Sequence, residues 1–403
     1  MTSKKKYKLA VLAIDGGGIR GIVPAKILAE IEKQTKKPIY KLFDLIAGTS
    51  TGGILSLGLV KPKEDGSNED GTEAQFSAEK LINLYKDSDK VKKIFKKRPF
   101  NFDKIEIPNL PIMFNKWPLN NILLFRALGF LNSVKFPISP GELFLSKYTR
   151  KEKEEVLKDL LGETSLDQAL KEVIITSYAT DKRMPLLFTS NYAKEELKSD
   201  KYRKICSGCK MYDAALATSA APTFFRPYPL DFLDTNRGNY LLIDGGVIAN
   251  NPTSIAIIEA MKSYELKNNK PISLDKILVV SLGTGTAVEF FDREIDNWGL
   301  VQWVKPLIDI ILSGQSEVID YQLEQLLEKE QYYRFQLGYR NSRTEEQHPT
   351  SLSKKEYLAS GLMDDTSPEN IKKLENAAEK FIGEVDRNLK ELCNTLLNDV
   401  ERD

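Results

Sequence analysis

Three glycine-rich motifs carry the residues of this chain that are best suited to chemistry. Residues 15–21 read D-G-G-G-I-R-G, residues 48–52 read G-T-S-T-G, and residues 244–246 read D-G-G. Each motif follows a short apolar run, as expected for a loop at the end of a buried strand. Because an open parallel sheet binds its ligands at such strand ends, we expect the three motifs to contribute to one site.

The second motif is typical of a nucleophilic serine. In G-x-S-x-G, Ser50 projects from a tight turn between a strand and a helix, where residues bulkier than Gly48 and Gly52 would clash. An apolar run precedes the motif, and a helical pattern at 51–59 follows it. Ser50 is therefore a candidate nucleophile for attack on an ester carbonyl.

The first and third motifs offer what such a serine needs. Glycines in the first loop leave backbone N–H groups uncovered ahead of a helix N-terminus, so this loop can hold a negatively charged oxygen. Asp244, followed by Gly245 and Gly246, ends an apolar run. An aspartate, with a reference pKa of about 3.9, becomes a useful base only when it is close to the serine and partly desolvated. The apolar run before Asp244 favours that setting.

The histidine count decides between a triad and a dyad. A Ser-His-Asp triad needs an imidazole to take the serine proton. The chain contains a single histidine, His348, in the polar stretch 345–349, which has the composition of a loop. We therefore predict a catalytic dyad of Ser50 and Asp244.

One alternative function rests on the first motif alone. Gly16, Gly18 and Gly21 match G-x-G-x-x-G, the dinucleotide-binding fingerprint, which would indicate an NAD(P)-dependent oxidoreductase with Asp44 as the acidic partner. However, Asp44 precedes the second apolar run, whereas the fingerprint needs it at the end of that run. This alternative also leaves the other two motifs unexplained.

The elements that position the motifs alternate between strands and helices. Apolar runs predict strands at 7–15, 42–50, 172–178, 185–189, 240–244 and 276–282, and amphipathic patterns predict helices at 23–34, 51–59 and 306–327. Such an order favours a parallel sheet with helices on its faces. A Thr-x-x-Glu capping box at 366–369 predicts a further helix that runs towards Leu397.

Composition places the chain among soluble globular proteins. It has 403 residues, of which 41% are hydrophobic and 29% charged, and 58 Lys and Arg against 57 Asp and Glu give a net charge of +1. A net charge this close to zero gives no overall positive electrostatic potential that would attract nucleic acid. The sequence contains no run of 18 or more apolar residues, the length that a membrane-spanning helix needs, so we expect no transmembrane helix. The apolar run 9–14 is too short for a signal peptide, so we expect a cytoplasmic protein.

The few cysteines argue against a disulfide scaffold. Cys206 and Cys209 form a C-x-x-C, which could be a redox pair or half of a zinc site. The only other cysteine and histidine are Cys393 and His348, so a Cys/His zinc site would have to draw both from distant segments. We therefore predict a loop before the next helix at this position.

Two segments allow more than one interpretation. Residues 86–98 contain seven basic and two acidic residues, which fits either a solvated helix face or a membrane-surface patch. Residues 99–140 are rich in Pro, Asn and large apolar residues, and fit either a lid or an irregular part of the core. Any peripheral membrane contact is expected within 86–131.

In their order, D-G-G-G-x-R-G, G-T-S-T-G and D-G-G resemble the patatin-like phospholipase family. The resemblance extends through 214–225, 281–285, 314–316 and 363–365, and so covers nearly the whole chain. It implies an α/β fold of three layers, α/β/α, with a mostly parallel central sheet and a helical C-terminal part. Residues 8–263 would be the catalytic region, and 264–403 would continue the same domain.

The resemblance also implies a lipid acyl hydrolase with Ser50 as nucleophile and Asp244 as base. The oxyanion site would comprise four residues of the first motif, Gly16, Gly17, Gly18 and Arg20. No metal, cofactor or nucleic acid is implied, and the expected partner is a membrane lipid. The head group, the acyl position and the oligomeric state stay open. A catalytically inactive lipid-binding module is disfavoured because both dyad residues are present.

Overall fold

The computed structural model describes residues 6–63, 73–99, 146–197, 199–232, 238–287, 300–339, 359 and 362–402. Within these ranges the strands are β1 (Leu9–Ile14), β2 (Leu45–Gly48), β3 (Glu172–Ala179), β4 (Met184–Thr189), β5 (Arg203–Ile205), β6 (Tyr228–Leu230), β7 (Tyr240–Asp244), β8 (Ile277–Leu282), β9 (Thr286–Ala287), β10 (Tyr332–Phe335) and β11 (Gly338–Tyr339). All six strands expected from the sequence are among them.

Helices separate most of these strands. They are α1 (Ile22–Thr35), α2 (Thr51–Val60), α3 (Ala78–Lys86), α4 (Ser88–Ile94), α5 (Lys151–Leu161), α6 (Tyr192–Glu195), α7 (Met211–Thr218), α8 (Gly246–Ala249), α9 (Thr253–Asn268), α10 (Leu300–Leu326), α11 (Pro368–Glu384) and α12 (Asp386–Asn398). A 3-10 turn over Gly18–Gly21 joins β1 to α1.

The central sheet is mostly parallel, as predicted. Its strands follow the order β10-β8-β1-β2-β3-β4-β5, and β7 pairs with both β3 and β6. The run from β10 through β8, β1 and β2 to β3 is parallel throughout. Strands β4 and β7 run antiparallel to β3.

Alternate side chains of the buried strands pack into separate apolar clusters on the two faces of the sheet. In β1, Leu12 and Ile14 belong to a large cluster that also includes side chains of α1, α2, α3 and α11. Val11 and Ala13 belong to a second cluster with Ala256 of α9. Because successive side chains of a strand point to opposite faces, one buried strand supports both helical layers. The fold is therefore a three-layer α/β/α arrangement.

One edge of β3 serves two strands that approach from opposite directions. Strand β2 pairs along the first part of this edge, where Gly48 lies opposite Ile175. Strand β7 pairs farther along, where Asp244 lies opposite Ser177. The other edge of β3 is occupied by β4 over the same stretch. Consequently β2 and β7 end facing each other, which brings the second and third motifs together.

The C-terminal part joins the same sheet and core. Strands β8 and β10 extend the sheet beyond β1, and α11 and α12 pack against α1. The predicted helix towards Leu397 is divided at Val385 into α11 and α12. Its predicted capping box is also wrong, because the N-cap is Ser367, whose hydroxyl accepts the Asn370 amide at 3.2 Å. The local Ser-Pro-Glu sequence thus shifts the helix start by one residue.

A further helix and the turn at the C-x-x-C lie where the sequence predicts them, whereas the basic stretch is divided between two helices. The helix expected at 306–327 is present as α10, and Cys206 and Cys209 lie in the predicted turn before α7. The basic stretch 86–98 is interrupted at Asp87, whose carboxylate accepts the amides of Asp89 and Lys90 and begins α4 there. Residues 100–140 and His348 lie outside the described residues. None of the described helices is long and apolar enough to cross a membrane.

Candidate active site

Ser50 occupies a sharp turn between β2 and α2. Its backbone is held at φ 54° and ψ −121°, a conformation that costs a non-glycine residue about 1–3 kcal/mol. The flanking glycines are required, since a Cβ on Gly48 would overlap the Gly52 carbonyl and a Cβ on Gly52 would overlap the Ile14 carbonyl. The Ser50 amide donates to Thr218 Oγ1 at 2.9 Å, which helps to fix the turn.

Asp244, at the end of β7, is buried beside this serine. Its Oδ2 accepts the Ser50 hydroxyl at 2.7 Å, and its Oδ1 accepts the Gly246 amide at 2.7 Å. Burial raises the pKa of Asp244 to about 6, although the Gly246 amide, the Ser50 hydroxyl and the positive charge of Lys153 oppose that shift. Such a carboxylate is ionised at neutral pH and still basic enough to accept a proton.

The glycine loop after β1 offers two unoccupied donors to the same site. The Gly16 amide donates to the Asn250 carbonyl at 3.0 Å. By contrast, the amides of Gly17 and Gly18 have no acceptor among the described residues. Both residues line the cavity that contains Ser50. Of the three predicted glycines, the structure therefore leaves Gly17 and Gly18 with N–H groups available to a ligand.

Contacts with the C-terminal part hold this loop in place. Gly18 has φ 58°, and a Cβ there would overlap the Met363 carbonyl, so glycine is needed. That same carbonyl accepts the Ile19 amide at 2.9 Å. The Arg20 side chain donates to the Gly17 carbonyl at 3.4 Å and is not one of the described residues that line the cavity.

A buried ion pair beneath the glycine loop was missed by sequence reasoning. Arg334 of β10 donates to the two carboxylate oxygens of Asp15 at 3.0 and 2.6 Å, and to Ser281 Oγ at 2.8 Å. Burial raises the pKa of Asp15, while the Arg334 charge lowers it. The pair links β10, β8 and β1 under the loop. The only sequence signal is an arginine inside the strand Tyr-Tyr-Arg-Phe.

A largely apolar cavity of about 140 Å³ lies over Ser50 and Asp244. Its apolar walls come from α2, α3, α4, α10 and the turn after α7, and they include Ile54, Leu84, Val91, Phe95, Phe225 and Leu312. Such walls can surround an acyl chain and exclude water from the reacting ester. This suits an amphiphilic substrate.

Lys153 is a second site residue that the sequence did not reveal. It is 3% exposed and lines the cavity. Its Nζ donates to the Ser219 carbonyl at 2.6 Å and lies 3.8 Å from the Phe225 ring centre. Because α5 is rich in charged residues, its sequence suggests that Lys153 is exposed to solvent. However, Lys153 lies three and four residues before Val156 and Leu157, which places it on the buried face of the helix.

The geometry opposes a dinucleotide site at the glycine loop. Asp44 Oδ2 accepts the Ala10 amide at 2.8 Å, so its carboxylate is engaged near the start of β1. The glycine loop follows the other end of that strand.

The described residues contain no group of three or more His, Cys, Asp or Glu side chains arranged to hold a metal ion.

Comparison with known proteins identifies the family. The family model described as Patatin-like phospholipase matches residues 12–257, well over half of the chain. The chain belongs to the patatin-like phospholipase family. All three glycine-rich motifs of this patatin-like protein lie within the match, while β8, β10 and Arg334 lie beyond it.

Two plant relatives extend the similarity past the matched region. "Patatin-like protein 2" of Oryza sativa subsp. indica is 32% identical over 346 residues, which is 80% of this chain and 74% of the relative. "Probable inactive patatin-3-Kuras 1" of Solanum tuberosum is 32% identical over 337 residues, or 78% of this chain and 74% of the relative. VipD from Legionella pneumophila is 16% identical with a TM-score of 0.34, covering 95% of this chain and 67% of that one.

Proposed function

We propose that this patatin-like protein is a lipid acyl hydrolase of the phospholipase A type that works through a dyad of Ser50 and Asp244. The observation that carries the proposal is the 2.7 Å hydrogen bond from the Ser50 hydroxyl to Asp244 Oδ2 inside an apolar cavity. A carboxylate in direct contact with the nucleophile can act as its base without an imidazole.

The dyad accounts for both halves of ester cleavage. Ser50 Oγ attacks the ester carbonyl carbon while Asp244 takes the hydroxyl proton. The tetrahedral oxyanion collapses, the bond to the leaving alcohol breaks, and Asp244 protonates that alcohol. A water then gives a proton to Asp244 and attacks the acyl-serine. Collapse of the second oxyanion releases the fatty acid, and the proton returns to Ser50.

The glycine loop supplies the electrostatic contribution to this mechanism. The oxyanion forms beside Ser50, and the amides of Gly17 and Gly18 are backbone donors of that cavity without an acceptor among the described residues. Each well-placed donor contributes roughly 3 to 4 kcal/mol to transition-state stabilisation. Gly16 and Arg20 then act indirectly, because the Gly16 amide is bound to Asn250 and Arg20 donates to the Gly17 carbonyl.

Basic residues near the cavity favour peripheral contact with an anionic membrane. Ile94 and Phe95 line the cavity, whereas Lys92, Lys93 and Lys97 in the same segment are exposed. Two other basic residues of this segment contribute less, because Lys96 pairs with Glu152 at 2.6 Å and Arg98 is half-buried. Binding through the three exposed lysines would bring the cavity close to lipid.

A lipidomic assay tests the proposed activity. The purified protein is incubated with a mixed lipid extract, and mass spectrometry follows which lipids lose an acyl chain. We expect free fatty acids and the matching lysolipids with the native protein, and neither with Ser50→Ala. Vesicle binding without acyl loss would contradict the proposal and favour an inactive lipid-binding module.

A further inference from the structure

The cavity contains a buried cation that the dyad does not use. Lys153 is the one lysine or arginine among the described residues that line it. No described carboxylate lies within 4 Å of its Nζ, which donates only to the Ser219 carbonyl. An ammonium has three N–H donors, so two are left without an acceptor in the part of the chain that the structure describes. Burying such a charge is unfavourable unless a counter-charge is supplied.

The other charges lining the cavity are already engaged. Asp244 accepts from Ser50 and the Gly246 amide. Asp364 accepts from Lys147 Nζ at 2.5 Å and from the Tyr148 hydroxyl at 2.6 Å. Neither carboxylate makes a direct ion pair with Lys153. Among the described residues that line the cavity, the Lys153 ammonium is thus the charged group that is available to an incoming anion.

The surroundings of Lys153 keep its ammonium group in position. The Ser219 carbonyl lies just past the end of α7, where a cation is favoured. The Phe225 ring contacts the ammonium from another side at 3.8 Å. Ser219 is joined directly to Ala220, whose carbonyl accepts the Asp244 amide at 3.0 Å. The same turn therefore positions both Lys153 and the base.

We propose that Lys153 binds the phosphodiester of a phospholipid whose acyl ester lies at Ser50, so that the enzyme prefers phospholipids to uncharged lipids. The inference rests on the proposed function. In a glycerophospholipid only the glycerol unit separates the phosphate from the acyl esters, and an apolar cavity with one cation and one nucleophile matches that arrangement. Burial lowers the pKa of Lys153 below its ordinary value, and the Asp244 charge offsets only part of that lowering. A bound phosphate would oppose the lowering and favour the ammonium form.

A paired-substrate assay tests the preference. Phosphatidylcholine and monogalactosyldiacylglycerol with identical acyl chains are presented in micelles of a neutral detergent at pH 7. For Lys153→Met, the ratio of kcat/KM for the phospholipid to that for the galactolipid should fall at least about tenfold, as expected for loss of one hydrogen bond to a charged group. Lys153→Arg should restore part of the ratio. Any effect of Lys153 on Asp244 acts on both substrates and cancels in the ratio.

Control variants separate this role from a structural one. Lys158→Met removes an exposed lysine of the same helix, which pairs with Glu154 at 2.9 Å, and should leave the ratio unchanged. An unchanged ratio for Lys153→Met, with both activities falling together, would overturn the inference and leave Lys153 as a structural residue. Loss of inhibition by free oleate in Lys153→Met with an unchanged substrate ratio would assign the cation to the product carboxylate, and would also overturn it.

A binding measurement keeps the test independent of hydrolysis. Calorimetry on Ser50→Ala measures the affinity for dihexanoylphosphatidylcholine and for dihexanoylglycerol. Adding Lys153→Met should weaken binding of the phosphatidylcholine at least about tenfold more than binding of the glyceride. If the native protein hydrolyses neither lipid, the proposed function fails while this result still decides the inference. Equal weakening for both ligands would refute it.

Discussion

Gly48 and Asp244 are held two positions apart on one edge of a single strand. Gly48 ends β2 opposite Ile175, and Asp244 ends β7 opposite Ser177. The residue between those two partners, Thr176, accepts or donates a 2.7 Å hydrogen bond with Thr49 beside the nucleophile. The distance between serine and base is thus set by the β3 backbone, a rigid element. We therefore expect little rearrangement of the dyad when substrate binds.

Replacing the base should abolish turnover without unfolding the protein. In Asp244→Asn the side chain stays nearly isosteric but cannot accept the Ser50 proton. We expect kcat for a soluble ester to fall by at least about a thousandfold. Asp181→Asn is the matched control, because Asp181 accepts the Leu241 amide on the same strand at 3.0 Å and an asparagine oxygen can do the same. Near-normal turnover by Asp244→Asn would remove Asp244 from the mechanism.

The raised pKa of Asp244 predicts an acidic limb in the activity profile. The mechanism needs the carboxylate, so activity is lost as pH falls through the pKa of about 6. We expect kcat/KM for an uncharged soluble ester to fall about tenfold per pH unit below that value and to level off above it. Circular dichroism at pH 5 checks that the fold persists. A limb centred near pH 4, the ordinary range for aspartate, would contradict the buried setting.

The ion pair beneath the glycine loop should matter for stability. Arg334→Met leaves the Asp15 carboxylate buried without its partner, which typically costs about 3 to 5 kcal/mol in the free energy of unfolding. Adding Asp15→Asn should recover part of that loss, because no buried charge is then unpaired. Urea unfolding gives both values. The control is Lys390→Met, which breaks an exposed pair with Asp386 and should cost under about 1 kcal/mol. A similarly small cost for Arg334→Met would contradict the burial of the pair.

The exposed lysines near the cavity should contribute to membrane binding. Each basic residue close to an anionic surface is worth about 1 kcal/mol, so reversing Lys92, Lys93 and Lys97 to glutamate should weaken binding to phosphatidylserine vesicles by at least about a hundredfold. Cleavage of a short soluble ester should be retained. Vesicle co-sedimentation measures the effect. Reversing three lysines on the opposite face of the sheet, Lys262, Lys267 and Lys270, is the control and should change binding much less.

Much of the fold and the main site residues could be predicted from sequence because each depends on local patterns. Buried strands appear as apolar runs, and Ser50 is marked by the glycines its turn requires. Asp244 is marked by its strand and the two glycines that follow. Their meeting, however, depends on β7 running antiparallel to β3, and strand direction is not encoded in an apolar run.

The residues that sequence reasoning missed act over long separations or within misleading patterns. Arg334 contacts Asp15 across more than 300 residues, so no spacing connects the two. Lys153 lies in a helix with so many charges that its buried face is hard to recognise. The sequence predicts Gly16 as an oxyanion residue because it lies in the glycine loop. The structure shows that its amide already donates to the Asn250 carbonyl, a contact between distant residues that no sequence pattern reveals.

Covalent labelling of Ser50 tests the central claim most directly. A fluorophosphonate probe reacts with a serine hydroxyl that is activated by a base and lies beside an oxyanion site. We predict one label per chain by intact mass, located on the peptide containing Ser50, and strongly slowed labelling in Asp244→Asn. Ser219→Ala, which removes another serine hydroxyl of the cavity lining, should be labelled normally. Undiminished labelling of Ser50→Ala, or a label on any other residue of the native protein, would contradict the assignment of Ser50 as the nucleophile.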